Sequence, residues 1–369
     1  MKMNIGIVGL PNVGKSTIFN ALAQTAKAEV ANYPFCTIDP NIGIVNVPDQ
    51  RLYEIARLEK SKKITPATIE FVDIAGLVKG ASKGEGLGNQ FLSHIRQVAA
   101  IAHVVRCFED PDIVHVEGSI DPVRDAEIIE LELIMADLQT IERRLEKTAK
   151  LAKNDPKAKA ELETLEKAKN LLENFKLLRP NLDLFSPEEK IFLEKVLCLL
   201  TVKPLMYIAN VSEEDLPEGE NNAYVAKIKE KAQKDGVPLI VICGKIEQEL
   251  VELAEEEKKE FLEALGLKEP GLNKLIRKGY KLLNLITFFT TGPKETRAWT
   301  ITQGTKAKEA AGEIHSDIER GFIAAEVINY TKYIEIGSFQ KAKEVGALRL
   351  EGKDYMIEDG DIVYFRFNV

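Results

Sequence analysis

Between a short β-branched run at residues 4–9 and a stretch with helical spacing at 16–23, the chain carries Gly9-Leu-Pro-Asn-Val-Gly14-Lys15-Ser16. The pattern G-x-x-x-x-G-K-S in a strand-loop-helix setting leaves few folds open. Its glycines let backbone N–H groups turn inward, and the following helix presents its positive end, which together make a cradle for phosphates. Asn12, Val13, Gly14, Lys15, Ser16 and Thr17 are therefore the candidate phosphate-binding residues. Lys15 is suited to neutralise β/γ-phosphate charge and is the first catalytic candidate. The Ser16 hydroxyl is suited to ligate Mg²⁺, which keeps hard oxygen ligands in octahedral order.

Further apolar strand candidates at 68–74, 102–108, 205–210 and 238–243 alternate with helical stretches, which predicts an α/β fold with a mostly parallel sheet. An insertion interrupts it. From Asp125, Leu131, Ile134, Leu138, Ile141 and Leu145 recur at three and four; after the turn signal Asn154-Asp-Pro156, Leu162, Leu165, Leu172 and Phe175 do the same. The pair predicts an antiparallel helical hairpin. From about 283 the texture changes to short strands (296–302, 323–329, 347–351, 361–367) around a short helix at 306–315, a small α+β domain. The expected division is 1–122 with 202–282, 123–201, and 283–369.

Asp73-Ile-Ala-Gly76 ends one of the strands. Beside a phosphate cradle, this places a carboxylate to meet Mg²⁺ through water and a glycine N–H to sense the γ-phosphate. Thr37, 22 residues after Lys15 in a loop, is the candidate for a second hydroxyl ligand, so the expected metal residues are Ser16, Thr37 and Asp73.

Composition excludes other classes. With 50 Lys+Arg against 58 Asp+Glu, the net charge of -8 gives the whole molecule no attraction for phosphate polymers, so any nucleic-acid contact must be local. The four cysteines, Cys36, Cys107, Cys198 and Cys243, lack C-x-x-C spacing and read as buried thiols in a reducing compartment. No stretch reaches the ~20 apolar residues of a membrane span, and the start of the chain has no signal-like segment, so a cytoplasmic protein is expected.

Gly-Leu-Pro-Asn-Val-Gly-Lys-Ser-Thr at 9–17, Asn-Tyr-Pro-Phe-Cys-Thr at 32–37, Asp-Ile-Ala-Gly-Leu-Val at 73–78 and Lys-Gly-Glu-Gly-Leu-Gly-Asn at 83–89 resemble the translation-factor class of P-loop GTPases, and more closely the Obg-like ATPase (YchF) family. The stretch with Arg297-Ala-Trp-Thr300 and Ile314-His-Ser-Asp317 resembles that family's TGS module, a ubiquitin-like β-grasp fold. The resemblance runs through the whole chain. It implies a Mg²⁺-dependent ATPase switch with the ribosome as partner, acting as a monomer without a membrane.

Ordinary GTPases read guanine with N-K-x-D, whereas this chain has Asn210-Val-Ser-Glu213. Val211 cannot cover the base as lysine does, and Glu213 adds a methylene that displaces the carboxylate, so guanine preference is weakened. The resemblance adds ATP as substrate, with Asn210 and Val211 near adenine and Phe108 as a stacking wall. Where Ras-like switches have a water-orienting glutamine, this chain has Leu77, so slow intrinsic hydrolysis is expected. His115 is the candidate to position water; His103, inside an apolar strand, reads as structural. Asn12 resembles the asparagine that ligates K⁺ in related GTPases. Lys147, Lys150, Lys153, Lys157 and Lys159 crowd the hairpin tip; alone they read as a solvated face, and the resemblance adds docking on RNA-protein surfaces. Two competing readings are a GTPase of the same fold and a non-enzymatic scaffold regulated by nucleotide.

Overall fold

The computed structural model describes residues 3–30, 41–75 and 86–368. Internal packing divides the chain into Met1–Gly43 with Glu70–Leu275, and Ile44–Ile69 with Ile276–Val369. Thr37, Cys36 and Gly76 lie outside the described residues.

The first unit is organised by a sheet of strands β1 (Asn4–Val8), β2 (Ile42–Asn46), β4 (Thr68–Asp73), β5 (Ala100–Arg106), β6 (Leu205–Asn210) and β7 (Leu239–Ile242), in the order β2-β4-β1-β5-β6-β7, while the short β3 (Lys63–Thr65) belongs to a second sheet. The β1/β4, β1/β5, β5/β6 and β6/β7 pairs are parallel. β1, β5 and β6 are buried along their whole length, as strands covered on both faces must be, and this explains their unbroken apolar runs. The cradle sequence connects β1 to helix α1 (Lys15–Val30). Loops leaving the carboxyl ends of β1, β4, β5, β6 and β7 are thus gathered at one end of the sheet, where open α/β sheets bind ligands.

The chain leaves this unit within β2 and returns within β4, passing through helix α2 (Gln50–Glu59). Helix α3 (Gly86–Gln97) follows β4 in sequence. The insertion is a hairpin of α4 (Pro122–Leu151) and α5 (Pro156–Glu173). Each helix starts with Asp as cap and Pro in its first turn: Asp121 accepts from the Val123 and Arg124 N–H groups, Asp155 from Lys157 N–H. Ile134, Ile141, Leu165 and Leu172 meet in a buried cluster with Leu178, Phe185 and Leu193. Truncating Leu165 to alanine there would cost about 2–5 kcal/mol. The return to the sheet is closed by buried Asp137, which accepts from Leu200 N–H, Thr201 N–H and the Thr201 hydroxyl at 2.7–2.8 Å. Burial nevertheless pushes its pKa up to about 6.

The second unit is a mixed sheet, β11-β10-β12-β8-β9-β3, with β8 (Leu285–Thr290), β9 (Glu295–Thr302), β10 (Phe322–Asn329), β11 (Arg349–Glu351) and β12 (Asp361–Phe367). β8/β9, β10/β11 and β10/β12 are antiparallel; β12/β8 and β3/β9 are parallel. The helix Ala307–Ile314 presents Ala307, Ala310 and Ala311 to Phe288, Val327, Val363 and Phe365, small side chains that let it lie close to the sheet. Segment 44–69 belongs to this unit through the Lys63↔Glu295 register, Tyr330 hydroxyl to Glu54, and Arg51 forked between Asp49 and Asp359 at 2.8 Å. The sequence division at 283 had no means of assigning it there.

The cysteine expectation needs a correction. Cys107 and Cys243 are buried, and burial pushes both thiols up, but Cys198 is exposed in a left-handed conformation (φ 51°) after an irregular helical turn. Among the described residues no helix is long and apolar enough to cross a membrane.

Candidate nucleotide site

At the carboxyl end of the first sheet lies a cleft of about 1240 Å³. Its floor at one end is the loop 9–16. Gly14 adopts φ +90°, and a Cβ there would stand 2.0 Å from the Asn210 Nδ2, so only glycine fits. Lys15, 8% exposed, opens α1 and pairs with Asp73, the last residue of β4. Ser16 beside them is exposed to the cleft, and Thr17 also lines it. The arrangement brings together an ammonium, a carboxylate and a hydroxyl at the positive end of a 16-residue helix. No group of three or more His, Cys, Asp or Glu suited to a metal occurs among the described residues. A hydroxyl and one carboxylate fit a hard ion that takes its other ligands from phosphate and water, as Mg²⁺ does.

Asn12 has a positive φ of 64° and donates its Nδ2 to the Val114 carbonyl at 3.0 Å, leaving its carbonyl oxygen as the group available to a cation. Val13 is buried and carries the carbonyl that ties the loop to β6.

The other end of the cleft is lined by Phe108, Asn210, Val211, Ser212, Glu213 and Lys245. Asn210 is tied on both sides there: its Nδ2 donates to the Val13 carbonyl and its Oδ1 accepts from Gly244 N–H, both at 2.9 Å. Its side chain braces the phosphate loop against the turn after β7. Val211 is buried, with its N–H on the Ile242 carbonyl, and Glu213 is exposed at the start of a short turn. Phe108 is half-buried beneath the Arg106 guanidinium, 4.6 Å from its ring centre. Arg106 is itself buried and donates to the carbonyls of Phe108, Asp110 and Ile113, so it sets the path of the loop that carries Phe108.

His115 does not join the cleft. Its Nδ1 accepts from Glu117 N–H at 3.1 Å, and its Nε2 therefore carries the proton that goes to Asp125 at 2.7 Å; only 3% of the side chain is exposed. A ring with both nitrogens spent has no lone pair to offer a water. What His115 does is fasten the loop that holds Asn12 to the first turn of α4, where Arg124 also grips Asp125 at 3.0 Å. His103 is buried with no partner for either ring nitrogen, and burial lowers its pKa to about 3, in keeping with a structural residue.

Three supports escaped the sequence. Lys245 and the Gly244 N–H follow from a strand ending in Cys-Gly-Lys at the start of a helix, a pattern like that at β1. Asn222 caps helix Ala223–Asp235 and also donates to the Cys107 carbonyl at 2.7 Å and to Asp215 at 3.0 Å.

Residues 4–151 match the family described as 50S ribosome-binding GTPase, and 285–368 match the YchF GTPase C-terminal family, described as a protein of unknown function. The Ribosome-binding ATPase YchF of Bacillus subtilis (strain 168) is 55% identical, with all of both chains covered, and that of Escherichia coli O157:H7 is 54% identical over the same span. The chain belongs to the YchF family. The Schizosaccharomyces pombe YchF GTPase structure superposes with a TM-score of 0.90 at 40% identity, covering 99% of this chain and 98% of that one. A GTP binding protein from Pyrococcus horikoshii OT3, at 21% identity and a TM-score of 0.60, shares the fold. The YchF relatives bear both ATPase and GTPase names.

Proposed function

We propose that this YchF-family chain is a Mg²⁺-dependent ATPase switch that binds the ribosome. One observation carries the reading: Lys15 and Asp73 are held in contact at the start of α1, beside Ser16, in a cleft wide enough for a nucleotide. A triphosphate exchanges the partners of this pair. Lys15 turns its charge to the β/γ oxygens, and Asp73 is released toward the metal side with the Ser16 hydroxyl; Thr37 and Gly76 are the proposed remaining switch contacts. Magnesium, when bound, neutralises charge across the β- and γ-phosphates. The amides of residues 12–17 and the helix end hold the phosphate tail, and the cleft walls orient the purine.

Leu77 supplies no water-orienting group, and His115 is spent on Asp125, so intrinsic turnover is slow. Asn12, with one amide hydrogen on the Val114 carbonyl, is the proposed K⁺ ligand through its side-chain oxygen. Residues 283–369 are proposed as the TGS module and 123–201 as a coiled-coil insertion, in a cytoplasmic monomer. The names of the bacterial relatives support ATP and the ribosome; the name borne by the yeast relative favours the GTPase reading.

Calorimetry with non-hydrolysable ATP and GTP analogues separates the two, with and without Mg²⁺ and on the double variant Val211→Lys, Glu213→Asp. The parent should bind the adenine analogue more tightly, EDTA should weaken it strongly, and the double variant should move toward guanine. Tighter GTP binding by the parent would favour the GTPase reading. Binding without cleavage in single turnovers, with or without K⁺ and ribosomes, would leave a scaffold.

A further inference from the structure

The stretch that joins the switch motifs in sequence does not stay with them. Between Thr37 on one side and Asp73 and Gly76 on the other, residues 44–69 belong to the second unit, and the chain enters and leaves that unit within β2 and β4. Asp73 N–H donates to the Asn41 carbonyl at 2.8 Å at one end of these strands, and Val47 N–H to the Ala67 carbonyl at 2.8 Å at the other. At about 3.3 Å per residue, β4 spans about 17 Å from Thr68 to Asp73, whose carboxylate holds Lys15. Within the second unit the segment is fixed along its length. α2 buries Leu52, Ile55 and Ala56 and packs against β9. Its polar side chains reach residues 274 to 308 positions away: Arg51 to Asp359 at 2.8 Å, Glu54 to the Tyr330 hydroxyl, and Glu59 to the Tyr333 hydroxyl and the Phe339 N–H. Asp359 also accepts from Thr287 N–H at 2.9 Å, and Ser61 donates to the Gly292 carbonyl at 2.7 Å just before β3 pairs with β9.

An excursion between two neighbouring strands needs no ties of this kind, since long surface loops cost little entropy. Here the ties leave no slack in which a shift of β4 could be lost. We propose that residues 44–69 couple the nucleotide state of the cleft to the second unit. When a triphosphate draws Lys15 from Asp73, the change passes along β4 to the β3/β9 pair and α2, and the ties of α2 in turn set how strongly the cleft prefers triphosphate to diphosphate. Coupling of this sort is reciprocal by thermodynamic necessity. It rests on the ATPase-switch reading above, and it gives a regulatory role to the unit whose residues 285–368 match a family of unknown function. A purely structural staple would instead hold the second unit alike in every nucleotide state.

The test follows backbone amide hydrogen exchange of the full-length protein without nucleotide, with Mg²⁺-ADP, and with Mg²⁺ and a non-hydrolysable ATP analogue. It is run on the parent and on two variants that remove ties while keeping side-chain bulk, Tyr330→Phe with Tyr333→Phe, and Asp359→Asn. In the parent, exchange at 285–302 should differ by about fivefold or more between the two nucleotides. In the variants that difference should shrink, and the calorimetric ratio of analogue to ADP affinity should move by about threefold or more, with urea melts reporting an intact fold. Protection at 9–17 with no change at 285–302 in the parent would overturn the coupling and leave the switch reading standing. No protection at 9–17 would remove the switch reading and the coupling with it. Folded variants that keep the parent's exchange difference and affinity ratio would also overturn the coupling, because the ties of the segment would then carry nothing.

Discussion

The two ends of the cleft are built on opposite logics. At the phosphate end the reactive groups face the cleft and are paired with each other, Lys15 with Asp73, so a charged ligand exchanges one set of ionic partners for another. At the proposed purine end the most suggestive side chain, Asn210, spends one amide hydrogen on Val13 and one oxygen lone pair on Gly244, so its side chain serves the scaffold. In the proposed reading, phosphate recognition rests on local sequence and helix polarity, and base recognition on what the scaffold leaves uncommitted.

The largest expected effect tests the phosphate end. Lys15→Ala should lower nucleotide affinity or turnover by roughly 10²- to 10³-fold, the cost of removing one charged donor from a transition-state site. Titration of ATP into the variant checks this, and a change below threefold would break the comparison at its stronger side. Next, Asn210→Ala should destabilise the fold by about 2–4 kcal/mol, since two buried backbone groups lose their partner. Urea melts measure the stability, and paired titrations measure the ATP:GTP ratio, which should not change. A ratio that shifts tenfold with stability intact would make Asn210 a base reader.

The same contrast explains how far the sequence could be read. The cradle at 9–16, the carboxylate at 73, the alternating strands and the three-four rhythm of the hairpin are local patterns, and the fold contains each of them. What was hidden depends on contacts distant in sequence. Asn210 meets Val13 across 197 positions, and the three-residue strand β3 finds β9 across more than 230, too short a run to register as a strand. His115 was legible as a loop histidine, but its capture by Asp125 depends on how α4 starts. Local periodicity encodes elements; the occupancy of each polar side chain emerges only once the elements are packed.

A smaller effect sharpens the purine end. Phe108 offers an aromatic face held under Arg106. A stacking wall serves any purine, so Phe108→Leu should weaken ATP and GTP analogues alike, by about 1 kcal/mol or roughly fivefold each. Unequal losses would mean that the loop 108–113, through its carbonyls, takes part in choosing the base.

The smallest effect on binding should come from His103, which treats both ends alike because its register partners are Val8, leading to the phosphate loop, and Tyr207, leading to Asn210. Burial first, then the charges of Lys231 and Arg179, lowers its pKa to about 3, while the unfolded chain keeps the ordinary value near 6.5. Between these values the unfolded state takes up a proton that the folded state refuses. The contribution of neutral His103 is thus fully present above about pH 6.5 and is lost progressively as pH falls toward 3. His103→Leu, of similar bulk and with no ring nitrogens to leave unpartnered, should flatten that acid limb in urea melts between pH 6.5 and 4 and leave the ATP:GTP ratio at neutral pH where it was. A variant whose acid limb keeps the parent's slope would place the acid sensitivity in another group, and a shifted nucleotide ratio would mean that the sheet interior, and not the rim of the cleft alone, tunes the choice of base.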